Sequence, residues 1–126
     1  MGRKLNKTVS VAGINVILAV CLFISVTTAT IQISNFPNPF SPKYTSTTVA
    51  FYISEEAKVT AEIYDLLGNR VKLVADNIYS AGEYKLLWNG KNEVGERVSK
   101  GGYLLRLAIE YNSGKKEFAT RKIGVL

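Results

Sequence analysis

The sequence predicts an all-β fold, an antiparallel β-sandwich of about seven strands. Two observations carry that reading. Short stretches alternate apolar and polar residues with a period of two, and clusters of Gly, Asn, Asp and Ser interrupt them every ~8–12 residues. Beyond the amino-terminal segment no window sustains the helical period of about 3.6 residues, and no helical crossover separates successive strands, so a parallel α/β architecture is not expected.

The amino terminus reads as a hydrophobic signal helix. Arg3, Lys4 and Lys7 form a basic start, Val9 to Val26 is almost continuously apolar, and no further charge occurs before Lys43. Small residues close the segment at Thr27-Thr28-Ala29, which places cleavage after Ala29 and assigns residues 1–29 to a secretory signal peptide. The exported chain would then begin at Thr30 and hold 126 − 29 = 97 residues. The alternative is an uncleaved anchor that meets the membrane through residues 9–26, since a spanning helix needs ~20 apolar residues. Cys21 is the only cysteine. Leu18-Ala19-Val20-Cys21 faintly resembles a lipoprotein cleavage site, but Val20 is larger than such a site prefers and the apolar run continues past it. With Cys21 removed no disulfide can form, and the core must hold by packing alone.

Taken in order, Thr30 to Ser34 alternates and gives a short first strand. Phe36-Pro37-Asn38-Pro39-Phe40-Ser41-Pro42 holds all 3 prolines, so residues 30–46 form an extended lead-in that cannot be a central strand. Phe36 and Phe40 are candidate plugs over one end of the core. Thr47 to Ile53 is a strand with Val49, Phe51 and Ile53 on one face, and it opens a sandwich domain over 47–126 on which the lead-in packs. Ser54 to Lys58 is a polar turn. Val59, Ala61 and Ile63 alternate with Thr60, Glu62 and Tyr64, after which Asp65 to Asn69 supplies a turn in which Gly68 takes positive φ. Val71 to Ala75 is a short strand and Asp76 to Gly82 a loop. Glu83 to Trp88 places Tyr84, Leu86 and Trp88 on one face. Asn89 to Gly102 carries four glycines and reads as a long loop. Tyr103 to Tyr111 puts Tyr103, Leu105, Leu107 and Ile109 on one face, Asn112-Ser113-Gly114 turns, and Lys115 to Leu126 returns as the last strand. That strand count and spacing give an immunoglobulin-like sandwich.

Composition narrows the function. The net charge is +6, but the three basic residues of the amino terminus account for half of it, leaving 13 Lys and Arg against 10 Asp and Glu. These are scattered along strands, so no nucleic-acid surface is expected. Histidine is absent, which removes the commonest general base, and with Cys21 gone thiol chemistry goes too. The carboxylates Glu55, Glu56, Asp65, Asp76, Glu93 and Glu96 lie in or beside polar turns. No catalytic residue and no cofactor is assigned. Asn89, Asn92, Glu93 and Glu96 are a weak candidate set for Ca²⁺, which needs six to eight oxygens. Lys91 stands among them and a hydrogen-bonded turn competes. Tyr52, Tyr64, Tyr79 and Tyr111 are candidate surface aromatics for a carbohydrate-binding sandwich, whereas Tyr84, Trp88 and Tyr103 share faces with Leu residues and belong to the core.

One ordered series of short motifs carries a family resemblance. Asn38-Pro39-Phe40, Thr47 to Phe51, Val59 to Val71 with Tyr64, Asp65 and Gly68, Ala81-Gly82-Glu83-Tyr84 to Trp88-Asn89-Gly90, Gly95 to Val98, Gly101-Gly102-Tyr103 to Arg106, and Arg121-Lys122-Ile123 follow one another at family-like spacing. The series resembles the immunoglobulin-like domain of the flagellar hook-capping protein and the related carboxyl-terminal sorting domain of type IX secretion cargo, from about Asn35 to Leu126. Gly124 stands where that family usually carries an apolar residue. The resemblance implies an exported, non-catalytic structural or interaction module whose partner is another protein of the cell envelope or secretion apparatus. The alternative it implies is a sorting or cell-surface anchoring domain without its cargo.

Overall fold

The period-two alternation that dominates the sequence becomes seven strands in a computed structural model that describes residues 31–126. The expected signal helix, its cleavage after Ala29, the membrane-contacting stretch 9–26, Cys21 and the strand start at Thr30 lie outside the described residues. In chain order the strands are β1 (Ile33–Phe36), β2 (Thr47–Ile53), β3 (Ala57–Asp65), β4 (Arg70–Tyr79), β5 (Gly82–Trp88), β6 (Gly101–Tyr111) and β7 (Lys116–Val125). They form two antiparallel sheets, β1-β2-β5 and β4-β3-β6-β7, and no helix occurs among the described residues. The fold is an all-β, immunoglobulin-like sandwich.

Burial follows the alternation. Val49, Phe51 and Ile53 of β2 face Val59, Ala61 and Ile63 of β3 and Leu105, Leu107 and Ile109 of β6 across the core, all at most 3% exposed. Ile123 and Val125 of β7, Trp88 of β5 and Phe40 of the lead-in complete it. Each fully buried aliphatic side chain contributes about 1.5–3 kcal/mol of transfer free energy. β3 is the centre of the larger sheet, paired with β4 on one side and β6 on the other.

Several expected boundaries move. The first strand runs Ile33–Phe36, because Asn35 and Phe36 pair with Val49 and Thr48 up to the first proline. Phe36 therefore points outward and is 77% exposed, so it is not a plug; Phe40, 2% exposed, is. The turn after β2 is shorter than Ser54 to Lys58, since Ala57 and Lys58 already pair with Tyr79 and Ile78. By the same pairing Asp76 to Tyr79 is strand and not loop. β4 carries two register shifts opposite Ala61/Glu62 and Ile63/Tyr64. Each bulge flips the inward phase, so β4 shows no clean alternation to read. Gly82, Gly101 and Gly102 also join strands, as pairing partners of Ile53, Val125 and Gly124.

Candidate functional site

The lead-in crosses from one sheet to the other. From the end of β1 it passes two cis prolyl peptides, at Pro37 and Pro39, and reaches the outer edge of β7. Proline has no N–H to offer that edge, so side chains and Phe40 supply the pairing. The Gly124 N–H donates to Asn38 Oδ1 at 2.9 Å, and Asn38 Nδ2 donates to the Lys122 carbonyl at 2.7 Å. The Phe40 N–H then donates to the Gly124 carbonyl and the Leu126 N–H to the Phe40 carbonyl, both at 2.9 Å. Asn38 thus imitates a peptide unit. On its other side Asn38 Nδ2 donates to Asn35 Oδ1 at 2.8 Å, and Asn35 Nδ2 donates to Thr47 Oγ1 at 2.6 Å. Thr47, 0% exposed, donates in turn to the Pro37 carbonyl at 2.7 Å. Thr47 opens one of the sequence motifs and Asn35 the stretch of resemblance, but the sequence assigns neither this bonding role; the available signal was a hydroxyl in the inward phase of β2, ahead of Val49, Phe51 and Ile53.

Most of the motif residues meet at this end of the sandwich. Strand pairing sets Thr47 against Trp88, Asp65 against Tyr103, Tyr64 against Leu104 and Gly102 against Gly124. Phe40, Trp88 and Tyr103 contact edge to face at 5.7 and 5.6 Å. Trp88 Nε1 donates to the Lys91 carbonyl at 2.9 Å and the Tyr103 hydroxyl to the Ser99 carbonyl at 2.7 Å, which fastens the β5–β6 loop to the core. Burial pushes the Tyr103 hydroxyl above its usual pKa, and the charge of Asp65 adds to it. Gly82 lies at the opposite end, beside Ile53.

The β3–β4 turn is built on Asp65. Its Oδ1 accepts the Leu67 and Asn69 N–H groups at 2.9 Å each, and Asn69 Nδ2 donates to Oδ2 at 3.2 Å. The Asn69 backbone bond foremost holds the Asp65 carboxyl below its usual pKa. Gly68 has φ +92, the positive value the turn requires. Asp65 and Gly68 are turn-forming residues here.

In the β5–β6 loop, Asn92 and Glu96 come together and Glu93 leaves. Asn92 Oδ1 accepts the Val94 and Glu96 N–H groups at 3.1 and 2.9 Å, and Asn89 Oδ1 accepts the Lys91 N–H at 3.1 Å. Glu93 reaches β4, where Oε2 accepts the Leu73 N–H at 2.9 Å and Oε1 sits 3.6 Å from Lys72 Nζ. The Leu73 bond, with Lys72 beside it, lowers the Glu93 pKa. Among the described residues no three His, Cys, Asp or Glu side chains converge on one point.

The surface aromatics do not form one platform. Tyr52 is 52% exposed on the outer face of β2, and Tyr64 is half-buried on the outer face of β3, in the other sheet. Tyr111 is not a surface residue: it is 7% exposed, and its hydroxyl donates to Glu117 Oε1 at 2.9 Å. Tyr79 packs at 4.6 Å on Tyr84, which stacks on Phe51 at 5.7 Å, so both belong to the core margin.

Sheet edges remain as contact surfaces. The edge of β4 is bulged and Glu93 caps its Leu73 amide. β1 is only 4 residues long. β5, 7 residues long, and β7, 10 residues long, each pair with their neighbour without a register shift, and β7 is the longer edge.

The sequence profile of the FlgD Ig-like domain family matches residues 39–113. Solved structures similar to this chain include FlgD from P. aeruginosa, at 16% identity and a TM-score of 0.56 over 78% of this chain and 76% of that one. Latent PorU from Porphyromonas gingivalis is similar at 19% identity and a TM-score of 0.63, over 83% of this chain and 10% of PorU. PorZ, an essential bacterial surface component of the type-IX secretion system of the same organism, gives 23% identity and a TM-score of 0.46, over 75% of this chain and 11% of PorZ. The chain thus spans about a tenth of the length of PorZ and of PorU. At these identities the likeness to FlgD and PorU is one of fold. No curated protein matches.

Proposed function

Since the chain belongs to the FlgD Ig-like domain family, we propose that it is an exported, non-catalytic structural and interaction module whose partner is another protein of the cell envelope or secretion apparatus. The observation that carries this reading is the amino-terminal half of the unbulged β7 edge, beyond the part that Asn38 and Phe40 cover, set beside a β4 edge that is bulged and capped. An exposed sheet edge supplies a partner strand with main-chain hydrogen bonds, and neighbouring side chains supply selectivity. Domains 1–29, 30–46 and 47–126 then act as export signal, clamp and contact module.

The position of β7 also favours a sorting or anchoring role. The last strand keeps an accessible edge over its amino-terminal half, and the Leu126 side chain beyond it is 61% exposed. Gly124 fits a packing role at this site, because a Cβ there would stand 2.9 Å from Pro39 Cβ.

Two measurements test these readings. Amino-terminal sequencing of the exported product should begin at Thr30; a product that begins at Met1 argues for the anchor. Fusion of residues 35–126 behind an exported reporter separates the roles. Surface attachment of the reporter supports sorting, and a soluble exported reporter supports the interaction module alone. Retention of the full-length chain in the cytoplasm overturns both.

A further inference from the structure

The outer edge of β7 is half filled. Asn38 and Phe40 occupy its carboxyl-terminal half through Lys122 O, Gly124 N, Gly124 O and Leu126 N. Even-numbered residues of β7 therefore aim their backbone polar groups away from β6. Antiparallel alternation gives the same direction to Lys116, Phe118 and Thr120. Among the described residues those three meet one partner, Arg121 Nη1 on the Thr120 carbonyl at 3.1 Å.

We propose that Lys116–Thr120, together with the Lys122 amide, is a docking edge for an extended acidic segment of a partner protein, added to the four-stranded sheet as a fifth strand. The inference rests on the interaction-module reading and specifies the partner's chemistry. Charge selects the occupant. From Lys115 to Lys122 the chain carries Lys115, Lys116, Arg121 and Lys122 against Glu117 alone. Glu117 is already held by Lys115 at 3.4 Å and by the Tyr111 hydroxyl at 2.9 Å, and Lys116 shares only a long, exposed pairing with Glu110 of β6 at 3.9 Å. Lysines on an edge deter indiscriminate pairing of sheets, and the same charges reward a strand with carboxylates at the facing positions.

The outer row of β7 sets the pattern. It runs Lys116, Phe118, Thr120, Lys122, with Phe118 54% exposed and the Arg106 guanidinium 4.8 Å from its ring centre. A matching strand places acidic residues opposite Lys116 and Lys122 and apolar residues between them, at every second position.

The test uses the full-length chain and a fluorescent peptide, Glu-Thr-Val-Thr-Val-Thr-Glu, which reads alike in both directions. Its control carries Lys at both ends. Anisotropy should show the acidic peptide binding, weakening as salt rises, with the lysine peptide about tenfold weaker. Thr120→Pro removes one outward amide at an edge position where proline is tolerated. It should abolish binding with little change in melting temperature. The pair Lys116→Glu and Lys122→Glu should invert the preference between the two peptides. No binding of the acidic peptide to the wild-type chain, or binding that survives Thr120→Pro, overturns the assignment. If the peptide fails while the exported chain still reaches an envelope partner, the edge assignment falls and the module reading stands.

Discussion

Three glycines show how one residue type answers to three physical demands. Gly68 needs positive φ, +92, and a Cβ there meets open space. Gly90 needs φ +76, and its Cβ would also stand 2.5 Å from Pro42 Cγ. Gly124 lacks positive φ but faces Pro39 at 2.9 Å. Backbone strain at Gly68 should therefore cost about 1–3 kcal/mol in Gly68→Val. Gly90→Ala combines strain with overpacking and should exceed Gly68→Ala by about 1–3 kcal/mol. Thermal melts of the three alanine variants should rank Gly90 as the most damaging; equal losses at Gly68 and Gly90 would show that Pro42 gives way. At the other end of the sandwich, burial foremost and the bond to Glu117 push Tyr111 up to about 12 from an ordinary 10.0. The sign follows from linkage. Below about 10 both states are neutral, and as pH rises toward 12 only the unfolded phenol ionises, so stability falls across that window. Tyr111→Phe should lower stability near neutrality by about 0.5–1.5 kcal/mol yet flatten the alkaline limb. Denaturant titrations at several alkaline pH values check this, and an unchanged limb would refute it.

At the scale of elements, the Asn38-Pro39-Phe40 segment shows what the sequence reveals and what it hides. The three prolines at 37, 39 and 42 marked it as part of a stretch that cannot lie in a central strand, and Phe40 carried the apolar weight of a plug. That an asparagine side chain would stand in for a peptide unit was not readable, because it depends on Lys122 and Gly124, more than 80 positions away. Asn38→Ala should cost about 1–3 kcal/mol, since two backbone groups of β7 lose their partners. Hydrogen exchange gives the sharper readout: the Gly124 amide should exchange faster, while Ile123, bonded to β6, stays protected. Equal acceleration at both would mean that the whole strand frays. β2 and β5 were legible because each has one buried face in unbroken alternation. β4 was not, because its two bulges break the phase and its far half, Asp76 to Tyr79, is polar on both sides of Ile78.

At the scale of the molecule, successive strands leave one sheet for the other at β2–β3, β4–β5 and β5–β6, so neither sheet can form its inner face from contiguous chain. No cysteine falls within 31–126, and packing between the sheets carries the stability. The candidate contact edge was the least legible part, because a row of lysines reads as a solvated strand until the pairing shows which backbone groups point away from β6. The same architecture makes one cooperative unit the expectation. Ile63 is the point to press: it is 0% exposed on β3, the strand that holds β4 and β6 together. Ile63→Ala should cost about 2–5 kcal/mol through lost transfer energy and the cavity left behind, against a total of about 5–15 kcal/mol for a domain of this kind. Trp88 fluorescence reports one end of the sandwich, and far-ultraviolet circular dichroism reports all seven strands. In denaturant both should move together, in wild type and variant alike, with the midpoint lowered and the slope unchanged. A Trp88 transition that precedes the loss of strand signal would show that the clamped end opens by itself, and that Phe40 and Trp88 cap a core able to stand without them.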